Sequence, residues 1–369
     1  MKQSIQKAYT SLEKLFKKGL FLFLKRLLNN PPLTRKLPAE NVNKVLILRY
    51  DVIGDMIVTL PAIQYLKLIN PTIQIDVLAS TKNAGIIEYD TNIHATYIHD
   101  IPLLKKLQLF RKLKKNGYDI IFPCVTNKAT YIGIISNLMK SSHTVISTPA
   151  RYNKYSFLFH YQSVLAKSQE SIWNMFLYLI YDTIETTVLP EVAQPYVSIP
   201  QSITNSVLQT IQQLGTQSKD FVLINLSTRH ERNEWTETGY IQVIQHILTN
   251  TEDHVLITSM EQDAELANRL SCISNNVHVY PKTRQILEVV ALVKEAKLIL
   301  TPDTGIVHMA SAMKTPLVAM YVGDTPAPVE WGPFRLEHYA LVTSVNGQFV
   351  RTIEPDKVTA AIDSVLSDL

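Results

Sequence analysis

Along the chain, short runs of consecutive apolar residues alternate with longer stretches in which apolar positions recur every three or four residues. Residues 45–48, 73–78, 119–123 and 144–147 read as buried strands, and 61–69, 103–115 and 131–139 as helices between them. A long helical segment at about 168–186 closes this first series. Residues 189–202, "LPEVAQPYVSIPQS", then place three prolines in an unpatterned stretch that reads as a linker. A second series follows, with strands at 221–225, 254–259, 277–279, 297–300 and 317–321. Its helices are 203–214, 237–248, 263–272, 286–294 and 305–313, and an amphipathic helix at 354–369 ends the chain. Such alternation predicts parallel sheets covered by helices on both faces, an α/β fold. The domains expected are 43–188 and 203–350, each doubly wound and Rossmann-like, with residues 351–369 as a terminal helix. Sheets of this kind bind ligands at the carboxyl ends of their strands, so the cleft between the halves is the expected site.

Ahead of these series, residues 1–42 read as a basic arm. Phe16, Leu20, Phe23, Leu24, Leu27 and Leu28 recur at helical spacing, with Lys14, Lys18 and Lys25 opposite them, until Asn29–Asn30 and two prolines stop the pattern. The apolar run from Leu20 to Leu24 is far short of the roughly 20 residues that cross a bilayer. Lys25 and Arg26 sit inside what would be the apolar region of a signal peptide, and no cleavage site follows. Two readings are open: an amphipathic helix lying on an anionic inner-leaflet surface, or a helix packed on the body with its lysines solvated.

Charge supports the division. The whole chain is +4, but residues 1–42 hold nine Lys or Arg against two acids, a net +7 that leaves the remainder at −3. The body is therefore a poor candidate for nucleic-acid binding. Two distant cysteines, Cys124 and Cys272, form neither a disulfide framework nor a zinc motif, and a reducing, cytoplasmic setting is expected.

Two turns carry candidate chemistry. "RYDVIGDM", residues 49–56, joins the first strand to the first helix with one glycine and two aspartates, where a phosphate loop would have several glycines and a lysine. "TPDTGIVH", residues 301–308, lies at a helix start, where free N–H groups and the positive end of the dipole face outward. Thr304 and Gly305 suit a diphosphate there, Asp303 a sugar hydroxyl, and His308 a phosphate or departing oxygen. In the loop 224–235, Ser227 and Thr228 offer hydroxyls and Arg232 a cation for the same diphosphate.

These motifs together, "VLILRYDVIGDMIVTLPAIQYLK" with "LTPDTGIVHMASAMKTPLVAMY" and the later "GDTPAPVEWGPF", resemble the bacterial lipopolysaccharide heptosyltransferases of glycosyltransferase family nine. The likeness spans about residues 43–335. It implies a GT-B architecture of two Rossmann-like domains facing across a cleft. It also implies metal-independent, inverting transfer from ADP-heptose, without a cofactor, to an acidic glycolipid at the inner face of the cytoplasmic membrane. The family's catalytic aspartate falls on Asp55, and its donor residues on Ser227, Thr228, Asp303, Thr304, Gly305 and His308. Asn233 stands where the family usually has a lysine, with Arg232 beside it, and Glu261 in "TSMEQDAE" is the candidate ribose or adenosine contact. Arg49, Asp51 and Lys128 are the acceptor-side candidates, with Asp51 the second choice for the base. Alternative readings keep the fold with another nucleotide sugar or acceptor, or as a binding protein without catalysis.

Overall fold

The computed structural model describes residues 18–125, 129–149, 153–345 and 347–369. Two six-stranded parallel sheets form its body. The first contains β1 (Lys44–Leu48), β2 (Gln74–Ala79), β3 (Ala95–Ile98), β4 (Ile120–Pro123), β5 (Val145–Pro149) and β6 (Tyr161–Ser163), in the order β3-β2-β1-β4-β5-β6. The second contains β7 (Phe221–Asn225), β8 (His254–Thr258), β9 (Val277–Val279), β10 (Leu298–Pro302), β11 (Leu317–Tyr321) and β12 (Tyr339–Thr343), in the order β9-β8-β7-β10-β11-β12. Both sheets thus share one doubly wound topology, with the order reversing beside their first strands. The central strands are apolar along most of their length because both faces are covered. In register, Leu48 lies opposite Leu78 and Pro123, and Ile224 opposite Ile257 and Leu300.

The helices that matter for the site are α1 (Ile53–Ile69), α2 (Leu103–Lys115), α3 (Ala129–Met139), α4 (Ile172–Thr183), α5 (Gln201–Gln213), α6 (Glu237–Asn250), α7 (Ala264–Ser271), α8 (Ile286–Glu295), α9 (Gly305–Met313) and α10 (Pro355–Ser367). Helix α1 starts at Ile53, eight residues before the sequence pattern suggests. Pro61 reads as a helix start because proline is favoured at the first helical position. Here it is interior, and burial of nearly every residue from Met56 to Leu66 outweighs its lost hydrogen bond. Strands β3 and β6 escape the sequence pattern because they are short, partly exposed and mixed in residue type, and β12, though apolar from Tyr339 to Val342, is partly exposed at the sheet edge.

Alternation along β1 divides the core. Val45 and Ile47 face a large cluster that runs through α1 and α4 and on into Phe221, Leu223 and Ile299 of the second sheet. The two halves therefore share one apolar interior. Leu46 and Leu48 face the outer layer, where Phe110, Leu113, Ile132 and Ile135 pack. The segment between the halves is held at both ends. Tyr196 donates to Asp90 at 2.6 Å, and Arg335 donates to the backbone carbonyls of Glu191 and Ala193. Helix α10 packs on the second half, where Val358 and Ile362 meet Val243 and Ile244.

Residues 18–42 are not a free arm. Residues 18–27 are helical, with Phe21, Leu24 and Leu28 packed in the outer cluster of the first domain. Beyond them, Leu37–Pro38 pairs with Ile184–Glu185, and the Lys36 ammonium donates to the Tyr181 carbonyl at 2.8 Å. Residues 1–17 lie outside the described residues. Leu24 is 6% exposed and Leu27 66%. Leu24→Ala is expected to cost about 2 kcal/mol or more in denaturant unfolding, and Leu27→Ala within about 0.5 kcal/mol of nothing. Equal effects would contradict the packing.

Candidate active site

The first turn is organised from below by Arg49, which follows β1 and is 0% exposed. Its Nε donates to the backbone oxygen of Asp55 at 2.7 Å, and one terminal nitrogen to Asp55 Oδ1 at 3.0 Å. The other terminal nitrogen donates to Asp51 Oδ2 at 3.3 Å and to the Cys124 carbonyl after β4. The guanidinium also lies over the Phe176 ring, 5.0 Å from its centroid. In this structure Arg49 therefore has its donors engaged within the protein. It is a buried cation that needs the two carboxylates to be stable in the interior.

The carboxylates differ. Asp55 is the third residue of α1, where a negative charge favours the helix dipole. Its Oδ1 is held by Arg49, while Oδ2 has only a long 3.4 Å contact from the Val52 N–H, and the side chain is 14% exposed. Asp51 has one oxygen, Oδ1, that is buried without a partner. Burial pushes the Asp51 carboxyl above its usual range, against the opposing pull of Arg49 and with a further upward push from Asp55.

Across the interface stands the start of α9. Thr304 caps it, accepting from the Ile306 N–H at 3.3 Å. The cap is part of a hydroxyl–amide network: Asn225, the last residue of β7, donates to Thr301 at 3.0 Å and toward Thr304 at 3.5 Å. Gly305 backs directly onto Gly54, and a Cβ on Gly54 would lie 2.9 Å from His308 Cδ2. Two helix N-termini thus meet at positions without side chains. His308 is buried beside Trp173 of α4 and near Trp331, with ring centroids at 5.5 and 6.2 Å, and Trp173 stacks on Phe334 at 5.1 Å. Its Nδ1 is buried with no protein partner. Burial holds its pKa at about 4, although the neighbouring Asp55 charge pulls upward.

The remaining candidates are distributed around this centre. Asp303 is raised by burial, with Arg232, Asn233 and His230 opposing. Asn233 also donates to the Asp303 carbonyl at 3.2 Å. Arg232 is exposed at the loop. Ser227 and Thr228 are buried, Ser227 bonded to the segment after β8 and Thr228 to its own loop. Ser227 donates to Asp263 at 2.6 Å and accepts from the Met260 N–H, and Thr228 accepts from the His230 N–H at 3.3 Å. Glu261 is exposed and paired with Lys282 at 3.0 Å. Lys128 lies outside the described residues. Asn225, Asp263 and Trp173 escape the sequence reading. The one cue was a polar Asn ending the apolar strand "FVLIN".

Residues 106–349 match the model of a family described as glycosyltransferase family 9 (heptosyltransferase). A lipopolysaccharide heptosyltransferase 1 from Campylobacter coli is 20% identical over 296 residues, covering 77% of this chain and 85% of that protein. A glycosyl transferase family 9 structure from Veillonella parvula superposes with a TM-score of 0.75 at 15% identity, covering 89% of this chain and 98% of that one. The E. coli heptosyltransferase WaaC with ADP gives 0.70 at 17% identity, with 87% and 99% covered.

The buried histidine makes a pH prediction. An unfolded histidine titrates near 6.5, whereas His308 in the folded protein stays neutral down to about 4. Between those values the unfolded chain binds a proton that the folded chain does not, so stability falls as pH drops through that window. The loss reaches on the order of 3 kcal/mol at its acid end. His308→Gln should shallow this acid slope in denaturant unfolding. His160, also held at about 4 by burial, keeps the slope from vanishing. An unchanged slope in the variant would contradict the assignment.

Proposed function

The chain belongs to glycosyltransferase family 9 and is a glycosyltransferase, and from that premise we propose that it moves a heptose from ADP-heptose to a lipopolysaccharide-core type acceptor, with inversion and with Asp55 as the general base. The observation that carries this reading is the pairing across the cleft. Gly54, next to Asp55, backs onto Gly305 at the capped start of α9, and a Cβ on it would lie 2.9 Å from His308 of the opposite domain. A base and a diphosphate-binding helix end are thus adjacent but on different domains. The family-model match begins after Asp55, so for Asp55 the reading is supported by the resemblance of its motif and by this geometry.

Inverting transfer needs a base on the acceptor hydroxyl and a group that stabilises the departing diphosphate from the other side. Asp55 suits the first task through Oδ2, since Oδ1 is occupied by Arg49. Asp51 suits it less by geometry, because its Oδ2 is taken by Arg49 and its Oδ1 is buried. The diphosphate would sit on the free N–H groups at Gly305 and beyond, helped by the helix dipole and by Arg232. His308, neutral at physiological pH, would serve as a hydrogen-bond partner and not as a charge. The acceptor would be an acidic glycolipid reached from the first domain, at the inner face of the cytoplasmic membrane.

Two measurements test this. In a panel of ADP-heptose, ADP-hexoses and UDP-hexoses, nucleotide release in the presence of a core-type acceptor should be fastest with ADP-heptose; preference for a UDP-hexose would move the reading to another donor. Asp55→Asn should lower turnover by about 100-fold or more with the fold intact. Near-normal turnover would remove Asp55 from the mechanism.

A further inference from the structure

The outer layer of the first domain has a composition unlike the rest of the chain. Four segments pack on the sheet face formed by Leu46, Leu48, Leu78 and Ile121: the N-terminal helix, α2, α3 and the turn around Phe157. Residues 18–30, 103–116, 129–141 and 153–160 together hold eleven Lys or Arg and no Asp or Glu. The chain as a whole is +4, so everything else sums to −7. One flank of the protein is cationic against an acidic remainder.

The same layer exposes large apolar side chains. Helix α2 buries Phe110 and Leu113 but leaves Leu103 71%, Leu104 77% and Leu107 39% exposed. At 100° per residue, Leu103, Leu104 and Leu107 fall on the arc that also carries Arg111, Lys114 and Lys115 further along the helix. An apolar tip thus leads into a basic stripe, with six cations and no acid in the 13 residues of α2. In the N-terminal helix Leu20, Phe23 and Leu27 repeat the pattern, exposed beside Lys18, Lys25 and Arg26 while Leu24 faces the core. A solvated helix has no use for three neighbouring exposed leucines, and a surface of this kind marks a binding face.

We propose that this layer docks on an anionic lipid bilayer, with Leu103, Leu104 and Leu107 entering the headgroup boundary and the cations of α2 and the N-terminal helix meeting the lipid phosphates. Charge decides the occupant. A second copy would set this cationic face against its own like charge, whereas an anionic bilayer neutralises it and accepts the leucines in one step. Among the described residues no helix is long and apolar enough to cross a membrane, so the contact is a surface one. The docking edge is also the active edge. Helix α2 follows the carboxyl end of β3, where His99 stacks on Tyr50 at 3.9 Å, next to Asp51. The inference rests on this surface and not on the donor or acceptor proposed above.

The test is co-sedimentation of the full chain with vesicles of phosphatidylcholine alone or with about a quarter phosphatidylglycerol. The wild type should bind the anionic vesicles and lose them in high salt. The triple variant Leu103→Ser, Leu104→Ser, Leu107→Ser should bind at least about tenfold more weakly, with unchanged thermal unfolding and unchanged turnover on a soluble acceptor. Neutralising Lys114 and Lys115 to Gln should cost about fivefold per residue. Equal binding to both vesicle types, wild-type binding by the triple variant, or a concentration-dependent dimer that the triple variant abolishes would each overturn the proposal. So would complete loss of binding on removing residues 1–17 while the triple variant binds fully, which would place the contact in the N-terminal segment alone.

Discussion

A buried guanidinium sets the geometry of this cleft. Arg49 has no exposed surface, and a charge so placed is tolerable only if its donors and its charge are both matched. Its nitrogens reach the carboxylates of Asp51 and Asp55, the Asp55 carbonyl and the Cys124 carbonyl. One side chain thereby ties together the end of β1, the turn, the first turn of α1 and the end of β4. It also separates the two acids, holding Oδ1 of Asp55 while Oδ2 takes a long contact from the Val52 N–H, and leaving Asp51 with one oxygen buried and unpartnered. An acidic turn at a position where other α/β folds hold phosphate follows directly. With a fixed cation beneath it, this turn needs negative charge from the protein itself.

The second domain supplies the complementary arrangement. Helices α1 and α9 meet start to start at Gly54 and Gly305, two positive dipole ends in contact. On one side lies the Asp55 carboxylate; on the other a neutral network of Asn225, Thr301 and Thr304 orders the helix start. In the mechanism proposed above, a base on one domain and an anion site on the other avoid repulsion between a carboxylate and a diphosphate on the same loop. The tight approach of Gly54 to His308 explains why glycine occupies that turn, and the wall of Trp173, His308, Trp331 and Phe334 keeps the junction dry.

Much of this is legible in the sequence, for identifiable reasons. The doubly wound halves announce themselves through buried parallel strands, which must be apolar on both faces, and helix α9 is delimited by its Thr-Gly start and Lys-Thr-Pro stop. Edge strands β3 and β6 are not, because short, half-exposed strands carry mixed residues, and β12 is apolar but only partly buried at the sheet edge. Arg49 reads as a surface cation because a charge after a strand looks the same whether it faces water or two aspartates. Its spacing to Asp51 and Asp55 was the available cue. Ser227 and Thr228 look like ligands by type; in the structure Ser227 bonds to Asp263 and Met260 after the next strand and Thr228 to His230, contacts that no local pattern reveals. The N-terminal helix is apolar around more than half its circumference, which is why packing and membrane contact both fit its sequence; Leu24 packs while Phe23 and Leu27 face out.

The central claim is that the acidic turn and the α9 start perform separate tasks on separate domains. Calorimetric titration with ADP alone tests it most directly, because ADP should engage only the second. The account predicts that Asp55→Asn leaves ADP affinity within about twofold of wild type, whereas Thr304→Val, which removes the hydroxyl that orders the helix start, weakens it by about tenfold. Loss of ADP binding in Asp55→Asn with full binding in Thr304→Val would contradict it and return the diphosphate to the first turn.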